Sequence, residues 1–216
     1  MRPPRVLTER VATTLLIALI ALAIVAFVVL RSLVLIGPTE VGLVTKRFSI
    51  RRLSDDDIIA FNGEAGYQAD LLMPGLRFKL WPVFIVSKHP WVQVPAGEIG
   101  VVIAQVGEAL PVGAKSAIYN EVLGNFSDVR NFIANGGQKG VQRPVLTPGS
   151  LLPLHPAAFI VLTPNRVYGM PTTPDLVNLA KHGRLTPSAF GLEPAQLSVT
   201  VIAPQGQQDV IGIVTA

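Results

Sequence analysis

The chain has 216 residues, of which 50% are hydrophobic and 15% charged, with a formal net charge of +4 and no cysteine. The missing cysteines exclude disulfides and thiolate chemistry. The positive charge comes from scattered Lys and Arg rather than a long basic stripe with interleaved aromatics, which argues against a nucleic-acid partner.

Residues 1–10 form a basic N-terminal segment carrying Arg2, Arg5 and Arg10. Val11 to Leu30 then runs for twenty residues without a charge. At about 1.5 Å per residue such a helix is roughly 30 Å long, the thickness of a bilayer's hydrocarbon layer. Its polar side chains, Thr13 and Thr14, can bond back to the helix's own carbonyls. A cleaved signal peptide would be shorter and end in small residues, but the run ends in Val29-Leu30-Arg31-Ser32. A buried soluble helix would show a polar face, and this one is apolar all round. Leu33 to Ile36 prolongs the apolar run, so the transmembrane helix is read as 11–36, with Arg31 snorkelling to the interface. Arg2, Arg5 and Arg10 before the span nearly balance Arg31, Lys46, Arg47, Arg51 and Arg52 after it, so topology stays open. The localisation expected is a cell (inner) membrane, crossed once, with the lipid bilayer as first partner.

The rest reads as α+β and β-rich. Residues 37–95 form a first β-rich unit, with strands at Glu40–Phe48, Leu76–Trp81, Val83–Val86 and Trp91–Val94. Residues 96–170 form a second, with strands at Ile99–Ala104, Leu151–Leu154 and Phe159–Thr163. Within it, Ile118, Val122, Phe126, Val129 and Ile133 recur at helical spacing and predict one amphipathic helix over 116–135, stopped by Gly136-Gly137. Residues 171–196 read as a loop or linker, with a helical turn or two from Asp175 to Lys181. Residues 197–216 start a third unit through strands at Leu197–Ala203 and Val210–Thr215.

Little here resembles a reactive site. His89, His155 and His182 are far apart and lack metal-ligand spacing. Ser54 to Asp57 reads as a solvated turn rather than a metal site. Ser87-Lys88 and Lys115-Ser116 are adjacent pairs, which on a strand point to opposite faces. A hydrolase built on Ser87, Lys88 or His89 is therefore the weakest reading. Asn135 to Gly140 lacks P-loop spacing and reads as a helix cap. Trp81, Trp91 and Phe84 suit either a core or a lipid interface. No cofactor and no enzymatic activity is expected.

The chain repeats itself. Glu40-Val41-Gly42-Leu43-Val44, Glu98-Ile99-Gly100-Val101-Val102 and Val210-Ile211-Gly212-Ile213-Val214 are three versions of one strand. Pro74-Gly75, Pro82 and Phe84-Ile85-Val86 are echoed by Pro148-Gly149, Pro156 and Phe159-Ile160-Val161. Each unit thus reads as strand, connection, Pro-Gly turn, strand, strand. The third begins without room for its turn, so an N-terminal portion of a longer protein is expected.

A span followed by GPTEVGLVTKRF and LLMPGLRFKLWPVFIV resembles the SPFH superfamily: stomatins, prohibitins, flotillins and the HflK/HflC pair. Glu40, Gly42, Val44, Pro74, Gly75, Phe78 and Pro82 match its E-x-G-V-V and P-G-x-x-F-x-x-x-P pattern. The stretch from Asn125 to Leu162, with Gly136, Gly137, Gly140, Pro148 and Gly149, looks like the larger bacterial flotillin-like members. Ser150 to Pro153 is more apolar than that pattern, and the usual Ala/Glu-rich coiled-coil region is missing. The resemblance implies an SPFH-type domain in a non-enzymatic membrane scaffold. It would form a homo-oligomer and organise microdomains or neighbouring membrane proteins. The alternative is an anchored regulator or adaptor of one membrane protease or transporter.

Overall fold

In the computed structural model, which describes residues 5–199 apart from 55, 56, 119 and 144, the apolar run forms the helix α1 (Arg5–Ser32). The Thr13 hydroxyl donates to the Arg10 carbonyl (2.9 Å), and that of Thr14 to Arg10 and Val11 (3.0 and 2.9 Å), so the segment's own backbone satisfies both. The helix is long and apolar enough to cross a membrane, and none of its central window is buried against the rest of the chain.

The helix stops sooner than the apolar run. Leu33–Ile36, expected to continue it, is instead the strand β1. The Ser32 hydroxyl donates back to the Val28 carbonyl (2.6 Å) and closes the last turn. The next four residues satisfy their backbone across a ladder, pairing antiparallel with a strand distant in sequence.

The described residues divide into two units between Trp91 and Val92. In the first, β2 (Glu40–Lys46), β3 (Ile59–Ala60), β4 (Gly66–Gln68), β5 (Gly75–Phe78) and β6 (Phe84–Pro90) follow β1. One sheet has the order β3-β4-β2-β6, with β2 antiparallel to β4 and β6; the other is the ribbon β1-β5. Ile36, Val41, Leu43, Val44, Ile59 and Ala60 are its buried apolar residues. Glu40 starts β2 by accepting the Gly37 N–H on Oε2 (3.0 Å).

In the second unit, β8 (Val101–Ala104) is flanked by β9 (Gly140–Val141) and β11 (Phe159–Thr163), and β12 (Arg166–Tyr168) closes the order β12-β11-β8-β9. A second pair joins β7 (Val92–Gln93) to β10 (Leu151–Leu152). All five residues of β11 are buried, as suits a strand covered on both faces.

The single helix expected over 116–135 is not formed. A 3-10 turn at Glu121–Phe126 is followed by α2 (Val129–Ala134). Gly124 and Phe126 both take left-handed φ values, +67° and +64°, which breaks the α-helical path. Asp128 then starts afresh, its carboxylate accepting the N–H groups of Arg130 and Asn131 (2.8 and 3.2 Å). The break turns Phe126 inward, onto Phe132 and Phe159, with ring centroids 5.2 to 6.1 Å apart among the three. Ile118 and Val122, assigned to the apolar stripe, are exposed. The expected stop holds: Gly136 has φ +75°, and the Gly137 N–H reaches back to the Phe132 carbonyl (2.8 Å).

The stretch expected as a loop contains α3 (Pro174–Lys181) and 3-10 turns at Pro187–Phe190 and Pro194–Leu197. Leu197, expected to open a strand, ends the last of these turns and is buried with Val101, Ile160 and Leu162. Val199 still bonds back to the Gly97 carbonyl (2.8 Å). Most of the expected third unit, including the strand Val210–Thr215, lies outside the described residues.

One local arrangement occurs in both units. Gly42 exchanges two backbone hydrogen bonds with Leu72 (2.8 and 2.9 Å), just ahead of Pro74-Gly75. Gly100 does the same with Leu146 (3.0 and 2.7 Å), just ahead of Pro148-Gly149. Close approach favours glycine at each. A Cβ on Gly42 would come 2.7 Å from Ile36 Cδ1, and one on Gly100 would come 3.0 Å from Val94 Cγ2. The second strand after each turn, β6 and β11, pairs antiparallel with β2 and β8 respectively.

Candidate membrane-interface site

The end of α1 is fastened to the first unit by a small set of side chains. Ser32 is fully buried. Its hydroxyl accepts the Trp81 N–H (2.9 Å) while donating to Val28, and its carbonyl accepts the Lys79 N–H (2.9 Å). The Trp81 ring lies against two residues one helical turn apart. Phe27 meets it edge-on at 5.6 Å between centroids, and the Arg31 guanidinium stands over its face at 5.9 Å. Lys79 stands likewise over Phe84, at 5.4 Å. Neither Arg31 nor Lys79 makes an ion pair among the described residues. Arg77, by contrast, is committed to its own loop, bonding the Met73 and Pro74 carbonyls (3.1 and 3.2 Å).

The ribbon β1-β5 adds an apolar face. Leu33 pairs with Phe78 and Leu35 with Leu76. Opposed residues and residues two apart share one face of a sheet, so these four side chains form one patch. Their exposures are 41%, 56%, 65% and 65% in that order. On the other face Ile36 is buried, at 2%. The ribbon therefore turns an apolar face outward. An exposed patch of this kind marks an interaction surface.

The other candidates do not assemble into a catalytic centre. Ser87 and His89, two apart on β6, share a face, and Ser87 Oγ lies 3.1 Å from His89 Nε2. Burial pushes the His89 imidazole below its ordinary value of 6.5, so the ring is neutral at pH 7. Lys88 lies between them in sequence and is exposed. His155 is wholly buried, its Nδ1 accepting the Ala158 N–H (3.1 Å). His182 Nδ1 lies 2.7 Å from the carbonyl of Asn178 on α3. His182 and Asn178 also line a shallow, open recess with Asp175, Leu179 and Arg184. Among the described residues no three His, Cys, Asp or Glu are grouped to hold a metal ion.

The family-motif positions fall in distinct places. Glu40, Gly42 and Val44 are in β2; Gly75 and Phe78 bound β5, with Pro74 before it; Pro82 lies in the turn leading to β6. Gly136 and Gly137 close α2, Gly140 begins β9, and Pro148 and Gly149 precede β10. Of these, Gly75 and Phe78 belong to the ribbon beside the helix end, together with the span-end residue Arg31. Val11 lies near the helix's other end, and Leu30 is exposed in its last turn.

Sequence reasoning singled out Trp81, Phe84 and Arg31 but missed Phe27, Ser32, Lys79 and the paired leucines. The signal for the ribbon was present, since Leu76-Arg77-Phe78 alternates; its partner was absorbed into the span. For Trp91 the buried, unpartnered Nε1 indicates a packed position. Comparison of the chain with protein-family models, curated proteins and solved structures found no match.

Proposed function

We propose that this chain is a membrane-anchored scaffold of the SPFH type, one that self-associates and organises membrane patches or neighbouring membrane proteins. The observation that carries the reading is the joint between the apolar helix and the first unit. Ser32, Trp81 and Lys79 hold the helix end directly to the ribbon, with no linker between them. A cleaved leader has no need of such an attachment; an anchor that must hold a domain at the surface of the cell's inner membrane does. The arrangement shared by Gly42 with Pro74-Gly75 and Gly100 with Pro148-Gly149 supports repeated units of the kind the resemblance implies. The Ser87–His89 pair gives a hydrolase little support, because no carboxylate is found orienting the imidazole among the described residues.

Light scattering on the detergent-solubilised particle tests the proposal, for this chain and for any longer product of the same gene. A particle of many copies is the expected result for at least one of them. A strict monomer in both overturns self-association and favours the adaptor reading, in which one membrane protein would co-purify at fixed stoichiometry.

A further inference from the structure

The helix end carries more than an anchor requires. Arg31 and Lys79 are brought together by the Lys79 N–H on the Ser32 carbonyl. Each cation stands over an aromatic ring, and neither is neutralised by a carboxylate among the described residues. The last-turn carbonyls of Val28 and Ser32 accept the Ser32 hydroxyl and the Lys79 N–H. The twenty-one residue steps from Arg10 to Arg31 span roughly 32 Å, which sets the two arginines at opposite edges of a hydrocarbon layer about 30 Å thick. Trp81 then falls at headgroup depth, where an amphipathic ring is favoured. The exposed face of Leu33, Leu35, Leu76 and Phe78 starts two residues after Arg31 and ends one residue before Lys79.

Building on the proposed anchoring, we propose that Arg31, Lys79 and Trp81 form a site for the phosphate headgroup of an acidic phospholipid, with the ribbon's apolar face covered by lipid. Continuity with the helix selects lipid as the occupant. Two unpaired cations select an anionic headgroup over a zwitterionic one.

The test uses the full chain in vesicles, with Trp91→Phe as background, so that Trp81 is the sole tryptophan. Trp91 is a suitable position to change, because its indole N–H has no partner to lose. Quenching of Trp81 is measured in brominated phosphatidylcholine as unbrominated phosphatidylglycerol is titrated in. The acidic lipid is expected to displace the quencher with a preference of about five-fold for each engaged charge. Arg31→Gln with Lys79→Gln is expected to reduce that preference to about one. Arg77→Gln, which changes a committed arginine, is expected to leave it unchanged.

Quenching that falls only in proportion to the mole fraction of phosphatidylglycerol, in a chain that resists alkaline extraction, would overturn the headgroup site and leave the anchor standing. So would an Arg77→Gln variant that loses the preference as fully as the double variant. Trp81 unquenched in a membrane-inserted chain would place it away from lipid and overturn the site. A chain that fails to float with the vesicles would overturn the anchoring as well. Protection of Trp81 by soluble inorganic phosphate, equal to that given by phosphatidylglycerol, would replace a lipid with an aqueous ligand and also overturn the proposal.

Discussion

His89 illustrates how little separates a structural residue from a reactive one. It sits on an edge strand with a serine hydroxyl at 3.1 Å, the start of a nucleophile–base pair, yet no second partner orients the ring among the described residues. Its burial has a measurable consequence. The unfolded chain binds a proton at about the ordinary 6.5, whereas the folded imidazole resists it. Folding stability should therefore be complete above pH 6.5 and fall as pH drops through that value toward the depressed folded pKa, then level off. Denaturant titrations across this window should show the loss, and His89→Gln should flatten it. Retention of the full slope in the variant would assign it to other groups. At the same scale, the motif glycines separate by reason. Gly42 is crowded by Ile36, Val86 and Leu72 around it, while Gly75 and Gly149 have open space and are favoured by positive φ. Both reasons read as "glycine" in sequence, and only coordinates distinguish them.

Among elements, the joint between α1 and the ribbon is the most exposed to a single change. Ser32→Ala removes a hydroxyl that serves two partners and leaves the Trp81 N–H buried without an acceptor. A cost of about 1–3 kcal/mol is expected in the first unit. Faster hydrogen exchange at the Trp81 amide would report it; protection equal to that of the parent chain would show that the hydroxyl is dispensable. The elements also show where sequence reading succeeds. The long apolar helix was legible because absence of charge over twenty residues is a local property. Strand β11 was legible because its four consecutive apolar residues, Phe159 to Leu162, lead to the turn signal after Thr163. The helix over 116–135 was misread because its periodicity is genuine but its path is broken by Gly124 and Phe126. The latter's ring packs against Phe132 and also against Phe159, which lies beyond the window. Strand β1 was misread because its partner lies about forty residues onward, and a run of apolar residues does not say whether it ends in lipid or in a ladder. The site at the helix end needs both of these long-range events, which is why only its aromatic and arginine members stood out.

For the whole molecule, the decisive property is whether α1 crosses a bilayer. Ile20 lies near the midpoint between Arg10 and Arg31, fully surrounded by apolar neighbours. Ile20→Arg should cost insertion about 2.5–3.5 kcal/mol. Its fraction resisting alkaline extraction should fall well below that of the parent. An unchanged fraction would mean that something other than α1 holds the chain to the membrane.

The passage from helix to strand at Ser32-Leu33, without a flexible hinge, turns the first unit into the far arm of a lever. A span that must match a thinner or thicker bilayer changes its tilt. With its end clamped by Ser32 and Trp81, that tilt becomes a swing of the ribbon and of the sheet behind it. Copies in a patch of uniform thickness would then share one inclination, and copies at a boundary between patches would not. If the proposed anchoring and self-association hold, bilayer thickness itself would be a signal that aligns or misaligns neighbours, with no ligand needed to carry it.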